Sequence, residues 1–194
     1  MKKLISILAL FGFSLLSVGN VQQYHSVVAR KKAAGPAGPT LQEDLGSAGG
    51  SSKNVGITSG LTYRSSQFTA SGSYTLTRVD VSLKSNNNPT MNLTCEIWSD
   101  DGSNSPSASL QAATATLDTS TLTASFADYT YNFSGLSITS GTKYHIVLYV
   151  DATNGSNYPV WEFLSSGGRT EVSSDGLSWT FDASWTGTAQ VWGN

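Results

Sequence analysis

Acid–base chemistry needs a group that titrates near neutrality, or two carboxylates facing one bond, and this chain offers few of either. It has two histidines in 194 residues. His25 precedes the strand-like part, which leaves His145 as the one imidazole of the globular region. It sits in the run Tyr144-His145-Ile146-Val147, where a hydrogen-bonded structural ring is the simpler reading than a catalytic base. No Gly-x-Ser-x-Gly turn is present to expose a strained serine nucleophile. Glu96 and Glu162 lie close to Trp98 and Trp161 and form the one acid pair worth weighing as a split glycosidase site, since no strand carries alternating acids. The expectation is a protein that is not an enzyme.

Hard-cation binding is the second chemistry to consider. Calcium takes several oxygen ligands from a flexible loop. Asp100, Asp101 and Asn104 in one polar stretch, and Asp151 and Asn154 in another, supply such oxygens without matching an EF-hand loop. The same residue types are what ordinary turns demand, so both readings stand. Cys95 is the single cysteine, which excludes an intrachain disulfide and a cysteine-based zinc site. No cofactor is expected beyond a structural calcium in those loops.

Aromatic rings offer a third chemistry, since an exposed ring can stack on the apolar face of a sugar. All five tryptophans lie in the second half of the chain. Trp98 alternates with Cys95 and Ile97 and so belongs to the opposite face of its strand. Tyr158, Trp161 and Trp185 fall near loops and define a candidate ligand platform, with Asn154, Asn157 and Arg169 as hydrogen-bonding partners. The competing reading places these rings in the core.

The elements that would position these groups are strands. Charged residues make up 12% of the chain and Ser, Thr, Gly and Asn separate short apolar runs, a balance that suits an all-β fold. The net charge of −2, with no Lys/Arg run in the globular part, argues against a nucleic-acid partner. Period-two alternation predicts strands over Tyr63–Thr69, Tyr74–Lys84, Met91–Ser99, Leu110–Leu117, Asp128–Phe133 and Lys143–Val150, with shorter ones near Trp161, Glu171, 177–181 and 189–192. Lys143–Val150 is apolar on both faces and is predicted to be central. So many strands without helices must close into a sandwich, and a jelly-roll-like antiparallel β-sandwich over residues 61–194 is the expectation.

The N-terminal part reads differently. Lys2 and Lys3 precede an uncharged apolar stretch from Leu4 to Leu16, followed by the small residues Ser17-Val18-Gly19, which is the pattern of a secretory signal over residues 1–19. An uncleaved anchor is the alternative, and it would be the chain's one membrane contact. Residues 20–60 have no sustained period and include Ala33-Ala34-Gly35-Pro36-Ala37-Gly38-Pro39, so they are assigned to a linker or assembly arm. Within them, Val21–Val28 suits a short helix or strand.

Ordered landmarks carry a family resemblance. Ser66-Gln67-Phe68-Thr69-Ala70, Gly72-Ser73-Tyr74-Thr75-Leu76-Thr77-Arg78-Val79 and Ile97-Trp98-Ser99-Asp100-Asp101-Gly102 come first. Leu136-Ser137-Ile138-Thr139-Ser140-Gly141-Thr142-Lys143-Tyr144 and Ser173-Ser174-Asp175-Gly176-Leu177-Ser178-Trp179-Thr180 follow. Together they resemble the choice-of-anchor R type of β-sandwich domain of exported bacterial and phage or environmental proteins, from about Leu61 to Asn194. The resemblance implies the fold and an extracellular setting, and carries no catalytic residue across. Two functions remain. One is a secreted structural or display protein that self-assembles through its arm on a cell or virion surface. The other is a module that binds a surface glycan and so serves adhesion.

Overall fold

Successive side chains of an extended strand point to opposite faces. In the computed structural model, which describes residues 38–46, 50–165 and 167–194, Val79, Val81 and Leu83 accordingly turn inward and are fully buried, while Asp80 and Ser82 turn out. The same rule sends Cys95 and Ile97 inward and Glu96 and Trp98 outward on a neighbouring strand.

Fourteen strands are described, joined by turns and by two 3-10 segments of three residues each. They are β1 (Thr40–Asp44), β2 (Gly50–Asn54), β3 (Tyr63–Thr69), β4 (Tyr74–Asn86), β5 (Asn92–Asp100), β6 (Pro106–Ala112) and β7 (Leu117–Asp118). The rest are β8 (Ala127–Ile138), β9 (Lys143–Val150), β10 (Tyr158–Leu164), β11 (Thr170–Ser173), β12 (Thr180–Ala183), β13 (Thr186–Gly187) and β14 (Ala189–Gly193). They form two antiparallel sheets of seven strands, packed as a sandwich.

The first sheet is organised by β4, which pairs with β8 along one edge and with β14 and then β10 along the other. Outside these, β1 pairs with β14, β2 with β10, and β13 with the end of β10. The second sheet runs β12-β11-β3-β9-β5-β6, with β7 also on β5. The chain passes from one sheet to the other at each step from β3 to β5 and again from β8 to β11, which is the jelly-roll-like path expected. β9 lies between β3 and β5, as expected of a central strand, and its outward residues His145 and Val147 are buried as fully as its inward ones.

The core fills the space between the sheets. Val79, Val81, Leu83, Trp161, Phe163 and Val191 enter from the first sheet, and Phe68, Cys95, Ile97, Ile146 and Leu148 from the second. Each large side chain taken from water contributes roughly 1.5–3 kcal/mol. Cys95 behaves here as a small hydrophobe, and burial holds its thiol well above the usual range.

Several boundaries differ from those read in the sequence, β8 for instance running on to Ile138, and three have a visible cause. The sandwich begins at Thr40 rather than at residue 61, because β1 and β2 belong to the first sheet. Gly50-Ser51-Ser52-Lys53-Asn54 has no apolar alternation to reveal it; it is held by backbone pairing with β10. β6 starts at Pro106 rather than at Leu110, at the edge position that proline tolerates. β12 starts at Thr180 because Asp175 Oδ1 accepts the Leu177 and Ser178 amides and prolongs the turn. The signal segment 1–19 and Val21–Val28 lie outside the described residues.

Candidate functional site

The outward face of the second sheet carries most of the polar and aromatic groups singled out above. Strand register sets them in rows. Tyr63 lies opposite Tyr149, Ser65 opposite Val147, and Gln67 opposite His145. On the other side of β9, Glu96 lies opposite Val147 and Trp98 opposite His145. An outer face would ordinarily be wet, yet His145 is 0% exposed and Glu171 1%. Two turns cover it.

The turn after β11 is built on Asp175, whose carboxylate accepts the Ser178 and Leu177 amides and the Ser173 hydroxyl, holding its pKa below the usual carboxylate range. Gly176 stands at φ +74, and a Cβ there would lie 3.2 Å from the Tyr63 ring. Trp179 then meets Trp98 edge-on at 5.7 Å and Tyr63 edge-on at 6.2 Å, and Tyr63 stacks on Tyr149 at 4.7 Å. Glu96 anchors this layer by accepting Trp98 Nε1–H at 2.7 Å and the Tyr149 hydroxyl at 2.9 Å.

The turn after β5 covers the remainder. Asp100 Oδ2 accepts Gln67 Nε2–H at 2.9 Å and lies 3.0 Å from His145 Nε2, while its Oδ1 accepts the Gly102 amide. Asn104 Oδ1 accepts from Lys143 Nζ and more weakly from Gln67 Nε2. Glu171 Oε1 accepts from Ser105 Oγ at 3.0 Å and from Nε and Nη2 of Arg169. Ser65 Oγ, His145 Nδ1 and Glu171 Oε2 are buried in the same layer without a partner among the described residues.

Burial pushes the His145 pKa below its ordinary 6.5, and the nearby Asp100, Glu171 and Asp101 carboxylates only partly offset this. The ring is therefore neutral at pH 7. For Asp100 burial is the largest single influence and acts upward, but the His145 and amide hydrogen bonds together carry its pKa below 3.8. Protons are thus bound more readily by the unfolded chain at both groups, so stability rises with pH through these ranges. Acidification is expected to destabilise the fold first below pH 6.5, through His145, and again below pH 3.8, through Asp100, Asp101, Asp118, Asp151, Asp175 and Asp182. Urea midpoints measured from pH 8 to 3 check this; in His145→Gln the step below pH 6.5 should vanish while the acid limb persists.

Beside this layer a cleft of about 510 Å³ opens where the two sheets meet, lined by Gln67, Thr69, Asn104, Arg169, Phe181 and Ser184 among others. Phe181 is 50% exposed, and the Arg169 guanidinium stands 4.9 Å from its ring centre. Arg169 and Asn104 were expected at a site from sequence, although in different roles. Gln67 and Phe181 were missed: the outward parity of Gln67 was legible, and its opening onto a cleft was not.

The expected platform of Tyr158, Trp161 and Trp185 does not form. Trp161 is fully buried in the core, tilted against Phe163 at 4.9 Å, with its Nε1–H donated to the Thr188 carbonyl. Trp185 packs half-buried against the core under Lys53 Nζ, 4.2 Å away, and Tyr158 is half-buried at the start of β10. Asn154 Oδ1 closes its own turn by accepting the Ser156 and Asn157 amides. Trp98 does leave the core side as expected, but it lies beneath the Asp175 turn.

The oxygens named for calcium are already acceptors. Asp101 Oδ1 takes the Ser103 and Ser105 amides, and Asp151 takes the backbone and side-chain N–H groups of Asn92. Among the described residues no three His, Cys, Asp or Glu side chains gather as metal ligands. Glu96 and Glu162 lie on the outward faces of opposite sheets, Glu162 bonded to Ser82 at 2.7 Å, so one glycosidic bond cannot lie between them.

Fold and surface together define a two-sheet antiparallel β-sandwich with one covered outer face and a polar cleft at its margin. No protein-family model matches the sequence, and no curated protein matches it significantly.

Proposed function

We propose that the chain is a non-enzymatic exported protein, a structural or display sandwich that assembles on a cell or virion surface through its N-terminal arm, in keeping with its resemblance to choice-of-anchor R domains. The observation that carries this reading is the way the sandwich is joined to that arm. Residues leading out of the arm enter as β1, which pairs over Thr40–Asp44 with β14 and is the outermost strand there. β1 thereby fastens the sandwich end of the arm by a backbone ladder, and strand addition is the mode by which the arm would engage a neighbouring copy. The enzyme alternative draws little support, because the His145–Asp100 pair has the form of a base and its orienting acid but is shut from solvent.

The test compares a chain starting at Asn20 with one starting at Gly38, by light scattering over a range of concentrations. Concentration-dependent oligomers are expected for the longer chain and a monomer for the shorter, with equal melting temperatures because both retain β1. Monomers in both would overturn the assembly reading.

A further inference from the structure

We infer that the cleft bounded by Gln67, Asn104, Arg169 and Phe181 binds a neutral sugar unit of a glycan. The argument is one of orientation. Gln67, Asn104 and Arg169 each have one end fixed by the network behind them, and the end left over determines what they offer to the cleft. Gln67 gives its amide N–H to Asp100, so Oε1 is the atom without a bond among the described residues and serves as an acceptor. Asn104 accepts with Oδ1 from Lys143, which leaves the Nδ2 donors. Arg169 commits Nε and Nη2 to Glu171, which leaves Nη1. One acceptor and two donor groups, held in place before any ligand arrives, match neighbouring hydroxyls of a pyranose, which both donate and accept.

Charge and shape narrow the class. Arg169 and Lys143 are outnumbered by Glu171, Asp100 and Asp101, and His145 is neutral, so these groups have no positive surplus to attract an acidic sugar. Phe181 has the Arg169 guanidinium over one face of its ring, and the half of the residue that stays exposed offers a surface for the C–H face of a sugar. A volume of about 510 Å³ lies within the range of small-ligand sites. The inference is independent of the display reading, because a monomer and an assembly carry the same cleft.

The test uses the chain from Asn20 on an array of neutral, sialylated and sulfated glycans, followed by titration of the strongest neutral oligosaccharide by NMR. Phe181→Ala removes the ring. Asn104→Asp keeps the shape and the contact with Lys143 but replaces the donor with an acceptor. The expected result is binding of neutral glycans, weakened at least about tenfold in each variant with amide spectra otherwise preserved, and unchanged in Leu177→Ala, whose side chain is 86% exposed on the Asp175 turn. Should F181A fail to fold, N104D alone decides. Absence of neutral-glycan binding, selective binding of the acidic glycans, or full affinity in the variants would overturn the inference.

Discussion

Trp161→Ala is expected to lower the free energy of unfolding by about 3–5 kcal/mol, the range for emptying a large aromatic site in a packed core. The ring is fully buried, rests on Phe163 and donates its N–H to the Thr188 carbonyl at 3.1 Å. Its neighbourhood cannot collapse easily, since β10 is pinned by β2 on one side and by β4 and β13 on the other. Gly187 of β13 sits directly against the indole, so close that any Cβ there would overlap it. The fit is therefore two-sided: a glycine on one strand makes room for a tryptophan on the next. Denaturant unfolding of the variant measures the effect. A loss under about 1 kcal/mol, the range of ordinary surface changes, would mean that the ring is not the core element described here. Gly187→Ala should be destabilising for the complementary reason, overpacking.

Asp182→Ala comes next in size, at about 3 kcal/mol, the lower end of the range for breaking a buried pair from one side. Arg64 is 3% exposed, and its guanidinium has two partners, Asp182 Oδ2 at 2.6 Å and the Asn54 carbonyl at 2.9 Å. Removing the carboxylate leaves a buried positive charge with a single carbonyl. Lys53 also reaches Asp182, at 3.0 Å, so one carboxylate on β12 joins β2 of the first sheet to β3 of the second. The lower end is appropriate because the Asp182 side chain is 26% exposed and water can replace part of what is lost. Asp182→Asn separates charge from shape. It should recover only a minor share of the loss, and full recovery would show that the charge pairing is unimportant. Thermal unfolding at pH 7 reads both variants.

Much of the architecture was legible because one face of many strands is apolar while the other carries polar or hydrogen-bonding side chains. Val79, Val81 and Leu83 against Asp80 and Ser82 state their faces in the sequence, and so do Cys95 and Ile97 against Glu96 and Trp98. β10 shows where this fails. Val160, Trp161, Glu162 and Phe163 are all buried, so alternation gives no face for Trp161, and nearness to a loop was a poor guide to exposure. β1 and β2 failed in the opposite way, being polar edge strands held by the backbone ladder, to which side-chain period is blind.

The cleft was legible only in part, for a third reason. Its residues come from β3, the turn after β5, the approach to β11, and β12, and pairing between strands distant in sequence brings them together. Arg169 and Asn104 were noticeable by type. The bonds that aim them are properties of the fold, and the glutamine amide and phenylalanine ring that complete the group look like ordinary strand residues.

The pairing of β1 with β14 sets how the protein bears mechanical load. Thr40 lies opposite Gly193 and Asp44 opposite Gln190, so the entry to the sandwich and its last strand leave from one corner and run antiparallel. Tension applied between Gly38 and Asn194 falls on the Thr40–Gly193 pair first and opens the ladder one rung at a time, the weak direction of a sheet. Tension applied between Gly38 and the cleft, which opens at the Leu45 end of β1, acts along that strand and loads the bonds of the β1–β14 ladder together. A pull between residue 38 and the cleft is therefore resisted along the stronger of these two directions.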